Sequence, residues 1–191
     1  MNSRRLSQAI SEGDGISVIV EVDGPEAARD AEEAGAEALV IPDTARAQIP
    51  SIRGATDLPI AMDGTATAPM DVDACIVDVR HDDREPLERV QRALADSLEL
   101  AFRIATEEHL EFVLEEFDPE ILVLAARHDE QAPLDRVLEL LPDVPAGKLA
   151  IADIGARTRE EVEELERAGV DGVIVGAGNV AHLVGAAPPE V

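Results

Sequence analysis

Short runs rich in Val and Ile recur along the chain, and nearly every one is followed by a stretch with helical periodicity. Such alternation is the sequence form of a parallel sheet built from β-α units. Eight runs can be traced: Ile16–Val22, Ala38–Ile41, Pro59–Met62, Ala74–Val79, Glu99–Ile104, Ile121–Ala126, Leu149–Ile154 and Gly172–Val175. The intervening helices are clearest at Pro25–Ala34, Pro86–Ala95, Glu107–Glu116, Leu134–Leu141 and Arg159–Ala168. Pro25 and Pro86 suit first helical turns, Thr106 and Thr158 suit N-caps, and Gly35 and Gly169 suit left-handed C-terminal caps. Two units look trimmed: Thr44–Thr56 is interrupted by Pro50, and Thr65–Val72 is too short for a full helix.

Eight β-α units predict an α/β fold, a compact (β/α)8 TIM barrel. About 250 residues is typical of that fold, and this chain has 191, so its loops must be short. The alternative is an open doubly wound sheet. It is poorly supported, because Glu21-Val22-Asp23-Gly24-Pro25 after the first run has a single glycine where a dinucleotide fingerprint needs several. The expected division is a short N-terminal segment, residues 1–15, and one barrel domain, residues 16–191.

Charge narrows the partners. The chain carries 41 Asp and Glu against 16 Lys and Arg, a formal charge of −25, which argues against a nucleic-acid or anionic-membrane surface partner. With 46% apolar residues the chain can still bury a core. Phe102, Phe112 and Phe117 are its only aromatics, so Val, Ile, Leu and Ala must fill that core. Cys75 stands alone and can form no intramolecular disulfide or paired-thiolate metal site. Met1–Gly15 lacks the apolar stretch of a secretory signal, and the longest apolar runs fall short of a bilayer span, so a cytoplasmic location is expected. The acid excess, with Lys148 as the single lysine, suggests a halophilic protein. A GC-rich genome would explain the arginines but not the acids.

Strand alternation sorts the charges. In the first strand Val18, Val20 and Val22 face the helices while Ser17, Ile19, Glu21 and Asp23 face inward. The same logic turns Asp78, Arg80, Arg103, Arg127 and Asp153 inward near the C-terminal strand ends, where barrel enzymes hold their chemistry. Two readings stay open. The cluster is either a set of Arg–carboxylate pairs plugging the barrel, or a site whose arginines hold an anion while a carboxylate moves a proton. His81 and His128 follow the fourth and sixth strands and could reach the mouth, whereas His109 and His182 are expected on helix surfaces. No histidine pair has metal-ligand spacing. Glu21, Asp23 and Asp153 are the one carboxylate set that could suit a hard cation such as Mg²⁺. No cofactor motif is present.

The stretch Asp153-Ile154-Gly155-Ala156-Arg157-Thr158 and the stretch Gly172-Val173-Ile174-Val175-Gly176-Ala177-Gly178-Asn179 are the most informative. Glycines after strands seven and eight expose backbone amides, and a short helix starting near Asn179 would aim its positive end at an anion. Many barrels hold a phosphate in this way. Gly155, Gly176, Gly178 and Asn179 are therefore the candidate ligand-binding positions, with Arg80 and Arg127 beside them.

From Ile16 to Val180 the pattern resembles indole-3-glycerol-phosphate synthase, the barrel that closes an indole ring in tryptophan biosynthesis. The likeness rests on Glu21, on the Leu98–Asp129 unit, and on the Asp153–Gly155 and Gly176–Asn179 turns. It implies a small phosphorylated metabolite as ligand and, for any reaction that remains, a lyase or isomerase. Glu21, Asp153 and Arg103 are the candidate catalytic residues. The departures fall on the family's chemistry. Asp23 and Met62 stand where the family has lysines, Arg103 where it has glutamate, Ala125 where it has asparagine, and Asp153 where it has glutamate. The usual serine of the eighth strand is replaced near Gly178, and the covering N-terminal extension is reduced to Met1–Gly15. Without those lysines ring closure lacks a proton donor, because arginine stays protonated to too high a pH. The original lyase activity is expected to be lost. The alternative is a non-catalytic paralogue serving as an interaction or structural module.

Overall fold

The computed structural model describes residues 4–13, 15–64, 70–79, 84–94, 96–126 and 132–183. Eight parallel strands close into a barrel in sequence order: β1 Ser17–Glu21, β2 Ala38–Pro42, β3 Ile60–Asp63, β4 Ala74–Asp78, β5 Glu99–Ile104, β6 Ile121–Ala125, β7 Leu149–Asp153 and β8 Gly172–Gly176. Closure comes from β8 pairing in parallel with β1, with Ser17 opposite Gly172 and Glu21 opposite Gly176. This is a (β/α)8 TIM-barrel arrangement, and each strand lies within two residues of the position expected from the Val/Ile runs.

The outer layer holds α2 Pro25–Glu33, α3 Ile49–Arg53, α4 Arg84–Leu94, α5 Glu107–Glu116, α6 Pro133–Leu140, α7 Arg159–Ala168 and the single turn α8 Val180–Leu183. Their ends follow the local chemistry. Thr106 Oγ1 accepts the N–H of His109, and Thr158 and Glu161 form a reciprocal capping box at the start of α7. That helix stops at Gly169, whose φ of 97° favours a residue without a Cβ. His109, expected on the surface, is half-buried on α5.

Two apolar layers follow strand alternation. Val18, Val20, Val22, Leu39, Ile41, Met62, Cys75 and Phe102 pack beneath the helices. Ile19, Val40, Ala61, Ile76, Ala101, Val123, Ile151 and Ile174 fill the barrel itself. All three phenylalanines meet in the outer layer. Phe102 stacks on Phe117 with centroids 5.2 Å apart, and Phe112 meets Phe117 edge-on at 5.8 Å. No aromatic ring of the described residues therefore faces the barrel axis.

A helix that periodicity did not reveal, α1 Arg5–Glu12, precedes the first strand. Leu6 and Ile10 belong to the barrel-interior layer and close its N-terminal end. Three further ties hold α1 there. The N–H groups of Leu6 and Ser7 donate to the buried Glu99 carboxylate, Arg5 pairs with Asp73 at 3.2 Å, and Ser17 Oγ donates to the Ile10 carbonyl. With one end plugged, the C-terminal mouth is the end open to a ligand.

Among the described residues no helix is long and apolar enough to cross a membrane.

Candidate functional site at the C-terminal mouth

Most strands end on a residue that alternation turns toward the axis, and on β5 that residue, Arg103, is the penultimate one. The last inward positions are Glu21 on β1, Asp63 on β3, Asp78 on β4, Arg103 on β5, Ala125 on β6, Asp153 on β7 and Gly176 on β8. Register sets Asp78 opposite Arg103 and Ala125 opposite Asp153. A ring of polar groups thus sits directly above the apolar filling.

Arg103 is its hub. Nη1 and Nη2 donate to Asp63 Oδ1 and Oδ2, both at 2.8 Å, a bidentate pair reaching from β5 to β3. Nη1 also donates to Asp78 Oδ1 at 2.9 Å, and Nη2 lies 3.0 Å from Asp153 Oδ2. Burial opposes the charge of Arg103, but the bonds to Asp63 and Asp78 and the field of Asp153 outweigh it, so the guanidinium holds its proton more firmly than usual. Its Nε is buried without a hydrogen-bond partner.

The carboxylates around it are held less easily. Burial raises the pKa of Asp153, Arg103 lowers it, and the neighbouring Asp63 and Asp78 raise it again, leaving it above the ordinary value. Glu21 is likewise raised, first by burial and then by the charges of Asp153 and Asp63, against a smaller lowering by Arg103. Among the described residues the mouth sets one guanidinium against four carboxylates, Glu21, Asp63, Asp78 and Asp153. Arg80 and Arg127, the other arginines expected in this cluster, lie outside the described residues.

Glu21, Asp153 and Arg103, singled out from sequence, do come together. Asp63 was missed, because the third run was ended at Met62, one residue before the inward-facing position. The signal was present: Ala61 faces inward, so two residues on Asp63 must as well. The same register corrects the family comparison at Met62. That side chain is fully buried in the outer layer beneath the helices, so it does not occupy an inward, lysine-equivalent position. Lys148, the chain's single lysine, precedes β7 and pairs with Asp118 at the opposite end of the barrel.

The glycine turns also lie at the mouth. Gly155, two residues past β7, has φ of 63° and is exposed. Gly176 ends β8, and Ala177–Asn179 form a 3-10 turn before α8. A Cβ built on Gly155, Gly176 or Gly178 would meet no atom within 4 Å, so open space lies on the side-chain side of each. Among the described residues the expected helix beyond Asn179 spans Val180–Leu183. Arg80, Arg127, His81 and His128 lie outside the described residues.

Among the described residues no three or more His, Cys, Asp or Glu are grouped so as to hold a metal ion, so Glu21, Asp23 and Asp153 do not form the carboxylate site considered for Mg²⁺. No protein-family model matches the chain, and no curated protein matches it. The architecture, a TIM barrel with a polar C-terminal mouth, is consistent with a ligand-binding or catalytic barrel.

Proposed function

We propose that the chain is a diverged phosphate-binding barrel whose ligand is a small phosphorylated metabolite, and that it lacks indole-3-glycerol-phosphate synthase activity. The observation carrying this reading is the pair of glycine turns after β7 and β8, with open space beside Gly155, Gly176 and Gly178. Backbone amides at Gly155, Gly176, Gly178 and Asn179 would donate to phosphate oxygens without any lysine. Arg80 and Arg127, which follow β4 and β6 in sequence, are proposed to add positive charge near the same rim. Loss of the synthase reaction follows from the site's composition. The inward position of β3 carries Asp63, position 23 carries Asp23, and the single lysine is at the other end of the barrel.

A second reading is favoured by the saturation of Arg103. A guanidinium held by three aspartates serves as a cross-barrel clasp, as a non-catalytic module would use it.

Titration calorimetry with inorganic phosphate, glycerol phosphate and ribose phosphate separates the two. Binding at or below millimolar concentration, abolished by Gly178→Asp, supports the phosphate site. No binding by any of the three, or unchanged binding by Gly178→Asp, leaves the non-catalytic module. Turnover of the synthase's own substrate above background would overturn the loss of activity.

A further inference from the structure

We propose that Asp63 sets the ligand specificity of the mouth by withholding Arg103 from anions, so that the end of a bound phosphate ester over the barrel axis carries hydroxyl or amino donors and no carboxylate. This inference rests on the phosphate reading above and concerns the other end of the same ligand.

An arginine offers five N–H donors, four of them on its two Nη atoms. In this mouth Nη1 faces Asp63 Oδ1 and Asp78 Oδ1, and Nη2 faces Asp63 Oδ2 and Asp153 Oδ2. Three of these contacts are hydrogen bonds, the fourth is an ion pair that sets Asp153 against Nη2 at 3.0 Å, and the remaining donor, Nε, is buried. Arg103 thus lies where an anion clamp would be expected, but aspartates surround both of its Nη atoms.

Asp63 makes the difference because it alone engages both Nη atoms. A ligand carboxylate could reach the guanidinium only by displacing an aspartate, and would then lie beside the aspartates that remain. Like charges at such distance repel strongly in a partly buried site. A hydroxyl or amino group meets the opposite situation. It can donate to carboxylate oxygens that do not face Arg103, such as Asp153 Oδ1, since Asp153 meets the guanidinium through Oδ2. Discrimination would come from a built-in repulsion as much as from attraction.

The experiment compares glycerol phosphate, 2-aminoethyl phosphate and 3-phosphoglycerate by calorimetry on the full chain, on Asp63→Asn and on Asp78→Asn, with circular dichroism confirming that each variant folds. In the parent the two esters without a carboxylate should bind about tenfold or more tightly than phosphoglycerate. Asp63→Asn should narrow the gap to about threefold, chiefly through tighter phosphoglycerate binding, because it removes one charge and loosens the fork. Asp78→Asn, at a more exposed aspartate, should narrow it in the same direction and serves if Asp63→Asn does not fold. Equal binding of glycerol phosphate and phosphoglycerate by the parent, or an unchanged gap in the variants, overturns the specificity role while leaving the phosphate reading intact. Failure of all three esters and of inorganic phosphate to bind overturns both.

Discussion

The backbone N–H of Leu6, in the first turn of α1, donates at 2.8 Å to the carboxylate of Glu99, 93 residues later at the start of β5. Ser7 N–H is 3.1 Å from the other carboxylate oxygen, so one buried acid takes two donors that the helix start would otherwise leave unpaired. Leu6 itself is 1% exposed and fills the barrel axis beside Ile10. The helix is therefore part of the barrel's interior packing.

Two substitutions test that position. Leu6→Ala should cost about 3 kcal/mol of unfolding free energy, since it empties a closed interior site. Glu99→Ala should cost about 2 kcal/mol, because two buried N–H groups lose their acceptor. Chemical denaturation followed by circular dichroism checks both. Losses near zero would mean that α1 leaves the barrel end without consequence.

Much of this was legible from sequence because strands in a parallel barrel are buried on both sides and read as Val/Ile runs. Alternation then sorted Val18, Val20 and Val22 from Ile19 and Glu21. α1 escaped notice because Arg5–Glu12 buries only Leu6, Ser7 and Ile10, and its anchors, Glu99 and Asp73, are distant in sequence. Asp63 escaped because an acid ending an apolar run reads as the start of a loop. What no sequence pattern could supply is that a single guanidinium engages Asp63, Asp78 and Asp153 together, which depends on the curvature bringing β3, β4, β5 and β7 around one axis.

Salt should stabilise the fold. A chain with a formal charge of −25 repels itself at low ionic strength, and screening acts over about 10 Å at 0.1 M salt. The melting temperature should rise from low to molar KCl. A flat dependence would count against a halophilic surface and leave the barrel untouched.

Removing the hub should expose the charges it holds. Arg103→Met leaves Asp63, Asp78 and Asp153 without their shared cation, and taking one partner from a partly buried network should cost about 3 kcal/mol at neutral pH. Repulsion among the carboxylates fades once they are protonated. The defect should therefore shrink as pH falls below about 5. Denaturant midpoints for parent and variant across pH 4 to 7, buffered at about constant ionic strength to hold screening fixed, read this directly. A defect that does not change with pH would assign the loss to packing alone.

Glu21 should show the opposite sign. Burial, followed by the charges of Asp153 and Asp63, raises its pKa in the folded chain, so the folded state holds its proton more firmly than the unfolded state does. Stability from this group is complete below the ordinary carboxylate pKa of about 4.3 and is lost as pH rises through the raised folded value. Glu21→Gln never ionises at this position and avoids that loss. Its melting temperature should exceed the parent's near neutral pH, with the difference closing as pH approaches about 4. Asp153→Asn is the informative contrast. Its pKa is also raised, but the substitution removes an ion pair to Arg103, so it should gain less than Glu21→Gln or lose stability at neutral pH. A Glu21→Gln variant less stable than the parent at pH 7, and equally so at pH 4, would show that the carboxylate makes favourable contacts at the mouth that outweigh its burial and repulsion.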